Sequence, residues 1–97
     1  MRTSRNRTIA AALVELNVIR ALYDMPKLQT MPKGEIQEPF SCPVANGLEG
    51  TDVAEGLGGV SVSSEQIGVG DRSFNTPPAI ARFVDAFDNR RYPHLVA

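Results

Sequence analysis

Apolar side chains recur along this chain in three rhythms, and each predicts a different kind of element. From Thr8 to Asp24 the spacing is helical. Ile9, Leu13, Leu16, Arg20 and Tyr23 follow one edge, and Ala12, Leu16 and Ile19 mark the centre of a broader apolar face that takes in Ala11 and Leu22. Alanine and leucine favour the helix by propensity, and Met25-Pro26 ends it, because a proline disfavours helical geometry in the residue before it. From Val60 the rhythm changes to alternation. Val60-Ser61-Val62 and Ile67-Gly68-Val69 read as two strands of a hairpin turning at Ser63 to Gln66, with a possible return through Gly70-Asp71-Arg72 into Ser73-Phe74. A third stretch is helical again: Ile80, Phe83, Val84 and Phe87 fall at i, i+3, i+4 and i+7, with Arg82, Asp85 and Asp88 off the stripe.

Punctuation places the ends of these elements. Thr76 followed by Pro77-Pro78 suits a capped first turn, Asn89 suits the C-terminal end, and Arg90 and Arg91 complement the negative end of the helix dipole. Pro93 blocks continuation, and Tyr92 and Leu95 are placed to fold back on the core. Ser41, with Pro43 two residues on, predicts a short helix from Cys42 to about Leu48 that faces the core with Val44, Ala45 and Leu48 and stops at Gly47 or Gly50. Between Met25 and Phe40 no period is sustained. Pro26, Pro32, Pro39 and Gly34 make this an extended connector, tacked down by Met25, Leu28, Met31 and Ile36, or a hinge that lets the first helix swing to a partner. Gly56 to Gly59 reads as a loop. The expected fold is therefore α+β: an N-terminal helical arm and connector over residues 1–40, then a small α-β-β-α module over residues 41–97.

Composition narrows the function. With 97 residues the chain is one domain, burying about 60–65% of its unfolded surface, and its aromatic content is only 6%, so a dimer that shares core residues is a reasonable expectation. One cysteine excludes an internal disulfide, and one cysteine with one histidine falls short of the four or so ligands of a zinc site. No apolar run approaches the roughly 20 residues of a membrane span, and Glu15 and Arg20 interrupt the segment that most resembles a signal sequence. A reducing cytoplasm is the expected location. The net charge of −1 hides a division. Residues 1–33 carry six basic and two acidic side chains, about +4, whereas residues 34–97 carry four basic and nine acidic, about −5. Such a split fits a basic arm for nucleic acid, or attraction between two parts of the chain or two subunits.

The ordered series Cys42-Pro43-Val44-Ala45 through Leu48, the valine-alternating hairpin, Phe83-Val84, Phe87-Asp88, Pro93 and Leu95 resembles small proteins of actinobacteria and their phages. The resemblance covers roughly residues 42–95 and implies an α-β-β-α module with no assigned activity. The first 40 residues lie outside it, which makes the helical arm the part specific to this chain.

Several residues invite a chemical reading. Cys42 at a helix start would have its thiolate favoured by the dipole, but a nucleophile also needs a base, and His94 in the tail is the one histidine. A small buried residue opening a helix explains Cys42 more simply. The glycines form no G-x-G-x-x-G after a strand, and Gly56-Leu57-Gly58-Gly59 precedes a strand instead of a helix, so turns explain them. Asp85 and Asp88, near Arg82 and Arg90, read as a solvated charged face. No catalytic, cofactor-binding or metal-binding residue is assigned. The arm carries the functional case. Its apolar surface, with Ile9, Leu13, Leu16, Ile19 and Tyr23, is wider than a small module needs and suits dimerisation or the gripping of a host or virion protein. Alternatively, Arg2, Arg5 and Arg7, interleaved with Thr, Ser and Asn, suit salt-dependent contact with nucleic acid phosphates.

Overall fold

The structure is a computed structural model and describes residues 2–48, 59–70 and 72–97, with side chains from residue 7. The expected α+β fold is present. Helix α1 runs Arg2–Leu22 and α2 Pro43–Leu48; strands β1 Val60–Val62, β2 Gln66–Val69 and β3 Arg72–Asn75 follow, then α3 Pro78–Asp88 and a 3-10 turn at Pro93–Leu95. The loop expected at Gly56–Gly59 lies outside the described residues apart from Gly59, as do Gly50 and Asp71 of the expected helix stop and strand return.

Helix α1 begins six residues before the expected start at Thr8. Its 21 residues span about 32 Å. The basic opening segment is helical even though no acidic residue sits in its first turn to complement the dipole. The helix ends at Leu22, and Asp24 adopts a left-handed conformation (φ 59°) as the chain turns into the connector.

The three strands form one antiparallel sheet in the order β1-β2-β3. Val62, Ile67 and Phe74 stand side by side across it, as do Val60, Val69 and Arg72. The valines and Ile67 of that face are buried, whereas Ser61, Gly68 and Ser73 point the other way. The return into Ser73-Phe74 is thus a full third strand.

Helix α3 buries Ile80, Phe83, Val84 and Phe87, the stripe that its periodicity predicts. Phe83 stacks on Phe87 at 6.0 Å between ring centroids and on Tyr92 at 5.4 Å, so the tail folds back as expected. Thr76 does not cap α3. Its hydroxyl donates to the Ser63 carbonyl at 2.8 Å, and Pro77 occupies the cap position without a side-chain hydrogen bond. At α2 the cap also moves by one residue: the Ala45 N–H donates to Cys42 Sγ at 3.5 Å, and the Ser41 carbonyl instead accepts from Glu35.

One core joins both portions of the chain. Ala12, Leu16 and Ile19 of α1 are buried with Val44, Ala45 and Leu48 of α2, the strand valines and the α3 phenylalanines. The division expected between residues 40 and 41 thus does not interrupt the core. The connector is tied down and does not act as a hinge. Asn17 exchanges two hydrogen bonds with Leu28, at 2.8 and 3.1 Å. Gly34 bridges to the tail, donating to the Leu95 carbonyl and accepting from Ala97. Gln37 N–H donates to Asp88 Oδ1, and Pro39 accepts from Val62. Gly34 is required there, since a Cβ would lie 2.4 Å from the Pro43 nitrogen.

Candidate interaction surface

The interaction surface expected on α1 is divided by the fold. Leu16 and Ile19 are fully part of the core, and Ile9, Leu13 and Tyr23 are partly buried against it. In the single chain the apolar stripe at the centre of the predicted face is thus covered by α2, α3 and the connector. Burial of a leucine or isoleucine contributes about 1.5–3 kcal/mol, which holds α1 to the module.

The opposite side of α1 is also apolar. Successive residues of an α-helix are 100° apart, which sets Ala10, Ala11, Val14, Val18, Ala21 and Leu22 within about 60° of the direction pointing away from Leu16. All six are exposed; Val14 is 61%, Val18 53% and Leu22 76% exposed. From Ala10 to Leu22 this outer side carries no charged residue, and Arg7 stands at its N-terminal end. Ala11 and Leu22, expected on the same broad face as Leu16 and Ile19, belong here. A surface helix of a globular protein ordinarily presents charge to solvent, as α3 does with Arg82 and Asp85. An α-helix that is apolar on both sides is ordinarily covered on both.

Of the three arginines of the alternative reading, all lie within the first two turns of α1, and Arg7 is exposed. The backbone thus places them on one helix, at the positive end of its dipole.

Arg20, expected at the apolar edge, is 7% exposed. Its guanidinium donates through Nε to the Pro26 carbonyl at 2.9 Å and through Nη1 to the Gly47 carbonyl at the end of α2. Sequence reasoning missed this staple because both acceptors are backbone atoms supplied by distant turns.

Cys42 lies beside an open cleft of about 300 Å³ to which Glu38, Asp85 and Asp88 contribute. Burial pushes the thiol pKa up and outweighs the hydrogen bonds from Ala45 and Val44 that lower it, and the Asp88 charge adds a smaller upward push. His94 is exposed and packs edge-on to Tyr92 at 6.4 Å, so it is not paired with the thiol. Among the described residues no cluster of His, Cys, Asp and Glu has the geometry to hold a metal ion, and no helix is long and apolar enough to cross a membrane.

Comparison with known proteins gave no match to a family, to a curated protein or to a solved structure. The resemblance of residues 42–95 to small actinobacterial and phage proteins accordingly rests on the residue pattern alone.

Proposed function

We propose that this is a small non-enzymatic interaction protein of the cytoplasm, phage-encoded or phage-derived, that uses α1 to engage a second copy or a host or virion protein. The observation that carries the reading is the uncharged outer side of α1, where Val14, Val18 and Leu22 remain exposed while the helix is already anchored through Leu16 and Ile19. The contact residues move accordingly from the buried stripe to Ala11, Val14, Val18 and Leu22. Such a stripe fits the i, i+4 anchoring of one helix against another helix or a groove.

The variant Val14→Lys/Val18→Lys tests this reading. Both positions are exposed and lysine is a good helix former, so the fold should persist by circular dichroism. Association with the partner should be lost. A variant that still binds as the native chain does would remove α1 from the interface. Deletion of residues 1–25 is unsuitable, because it would also remove Ala12, Leu16 and Ile19 from the core.

Contact with nucleic acid through Arg2, Arg5 and Arg7 is the second reading, favoured by their shared place at the start of α1. It calls for binding at low salt that weakens steeply as salt rises. An absence of retention on DNA and RNA at low salt ends it.

A further inference from the structure

Strand β3 forms one edge of the sheet, and its hydrogen-bonding parity can be followed residue by residue. Gly70 N–H donates to the Gly59 carbonyl and Ser63 N–H to the Gln66 carbonyl, both at 2.9 Å, so residues 66, 68 and 70 turn toward β1. Thr76 N–H donates to the Glu65 carbonyl at 3.1 Å, so residues 65, 67 and 69 turn toward 76, 74 and 72. Ser73 and Asn75 therefore direct their backbone N–H and C=O groups away from the sheet. Both residues are exposed, and among the described residues no backbone hydrogen bond uses that edge. The other edge is already engaged, since Val62 N–H donates to the Pro39 carbonyl at 2.8 Å.

We infer that β3 is a self-pairing site at which a second copy of this chain adds its own β3 antiparallel, around a two-fold axis at Phe74. This surface meets the outer side of α1 only at Leu22, and the inference does not rest on the reading of that side. Three features select a second copy as the occupant. First, the parity is self-complementary: with Phe74 on the axis, Ser73 stands opposite Asn75 of the second copy, and each such pair exchanges both backbone hydrogen bonds. Second, the charges match. Arg72 falls opposite Thr76 of the second copy, whose own ladder partner is Glu65. Arg72 and that Glu65 then lie on the same face, two strand spacings or roughly 10 Å apart, a gap that their two side chains together span. Both are exposed in the single chain. Third, apolar surface lines the same edge. Phe74 shares the core face of the sheet with Ile67 and Val62, and with Leu22 and Tyr23 it lines an open groove of about 490 Å³. The pairing sets the two Phe74 residues directly opposite, about 4.5 Å apart at Cα, and covers this groove. The ladder stops there. The next outward position is Pro77, which has no N–H to donate and so ends the ladder; the two-fold uses the β3 edge of both chains and the β1 edge is taken by Pro39, so the pairing closes at two copies.

Hydrogen exchange on the full native chain, at low and high protein concentration, is the direct test. The Phe74 amide, bonded inside the sheet, should be protected at both. The Ser73 and Asn75 amides should be open at low concentration and protected at high, in step with a doubling of mass by sedimentation equilibrium. Ser73→Pro and Asn75→Pro each delete a donor that the single chain does not use, and each should weaken the dimer by about tenfold or more. Arg72→Glu should weaken it too, and Arg72→Glu/Glu65→Arg should recover part of the loss. A chain that stays monomeric to about millimolar concentration overturns the inference. So does a dimer whose Ser73 and Asn75 amides remain open. A dimer abolished by Val14→Lys/Val18→Lys and untouched by the proline variants places the contact on α1 and overturns the strand pairing while sustaining the α1 reading.

Discussion

Arg20 of α1 donates to the carbonyl of Gly47 from a nearly buried position, joining two helices whose residues stand 27 apart in the chain. The same guanidinium holds the Pro26 carbonyl at the mouth of the connector. Replacing it with methionine keeps most of the aliphatic packing and leaves both carbonyls without this donor. The Gly47 carbonyl is buried whereas Pro26 is exposed and its carbonyl can turn to water; an unsatisfied buried acceptor costs about 1–3 kcal/mol, so Arg20→Met should destabilise the fold by about that much in urea unfolding. The acceptors are neutral carbonyls, so the loss should change little between low and high salt; a loss that disappears in salt would point to an ion pair instead.

Gly47 has a second constraint. A Cβ placed on it would stand 2.7 Å from Leu16 Cδ2. Gly47→Ala should therefore overpack the α1–α2 contact and cost about 1–3 kcal/mol, and Leu16→Ala should cost about 2–5 kcal/mol by cavity formation. Combined, the two should cost less than the sum of the single losses, because the shortened Leu16 makes room for the new methyl. Strict additivity in denaturant melts would contradict the contact.

Cys42 should behave as a buried cap residue. Its thiol should react with iodoacetamide in urea and only slowly in the native chain. The folded pKa is raised above the ordinary 9.0, by burial first and then by Asp88. The folded state therefore holds this proton more tightly than the unfolded one. The stabilisation is complete below about pH 9 and falls as the pH rises beyond it. Cys42→Ala should flatten that alkaline loss in melts taken from pH 8 to 11. An equal alkaline slope in both proteins would show that the thiol does not titrate during unfolding.

The elements with one-sided patterns were legible from sequence. The i, i+3, i+4, i+7 stripe of Ile80, Phe83, Val84 and Phe87 could bury only one way, and alternation fixed which residues of Val60–Val69 face inward. Helix α1 was legible as a helix but not in its orientation. Both of its sides are apolar, so periodicity alone assigned Leu16 and Ile19 to a partner and left Val14 and Val18 unremarked. Deciding between the sides requires the positions of α2 and α3. The Arg20 staple and the outward edge of β3 were hidden for a related reason: they depend on backbone carbonyls and strand register, which side-chain identity does not encode.

A photo-crosslinking residue placed at Val18 tests most directly whether the outer side of α1 meets a partner, with the same residue at Arg82 on the exposed side of α3 as control. In the producing cell, Val18 should give a discrete covalent adduct, with a second copy or another protein, that Arg82 does not give, and Val14→Lys in the same chain should suppress it. No adduct from Val18, or the same adducts from both positions, would contradict the assignment of this side of α1 as an interaction surface.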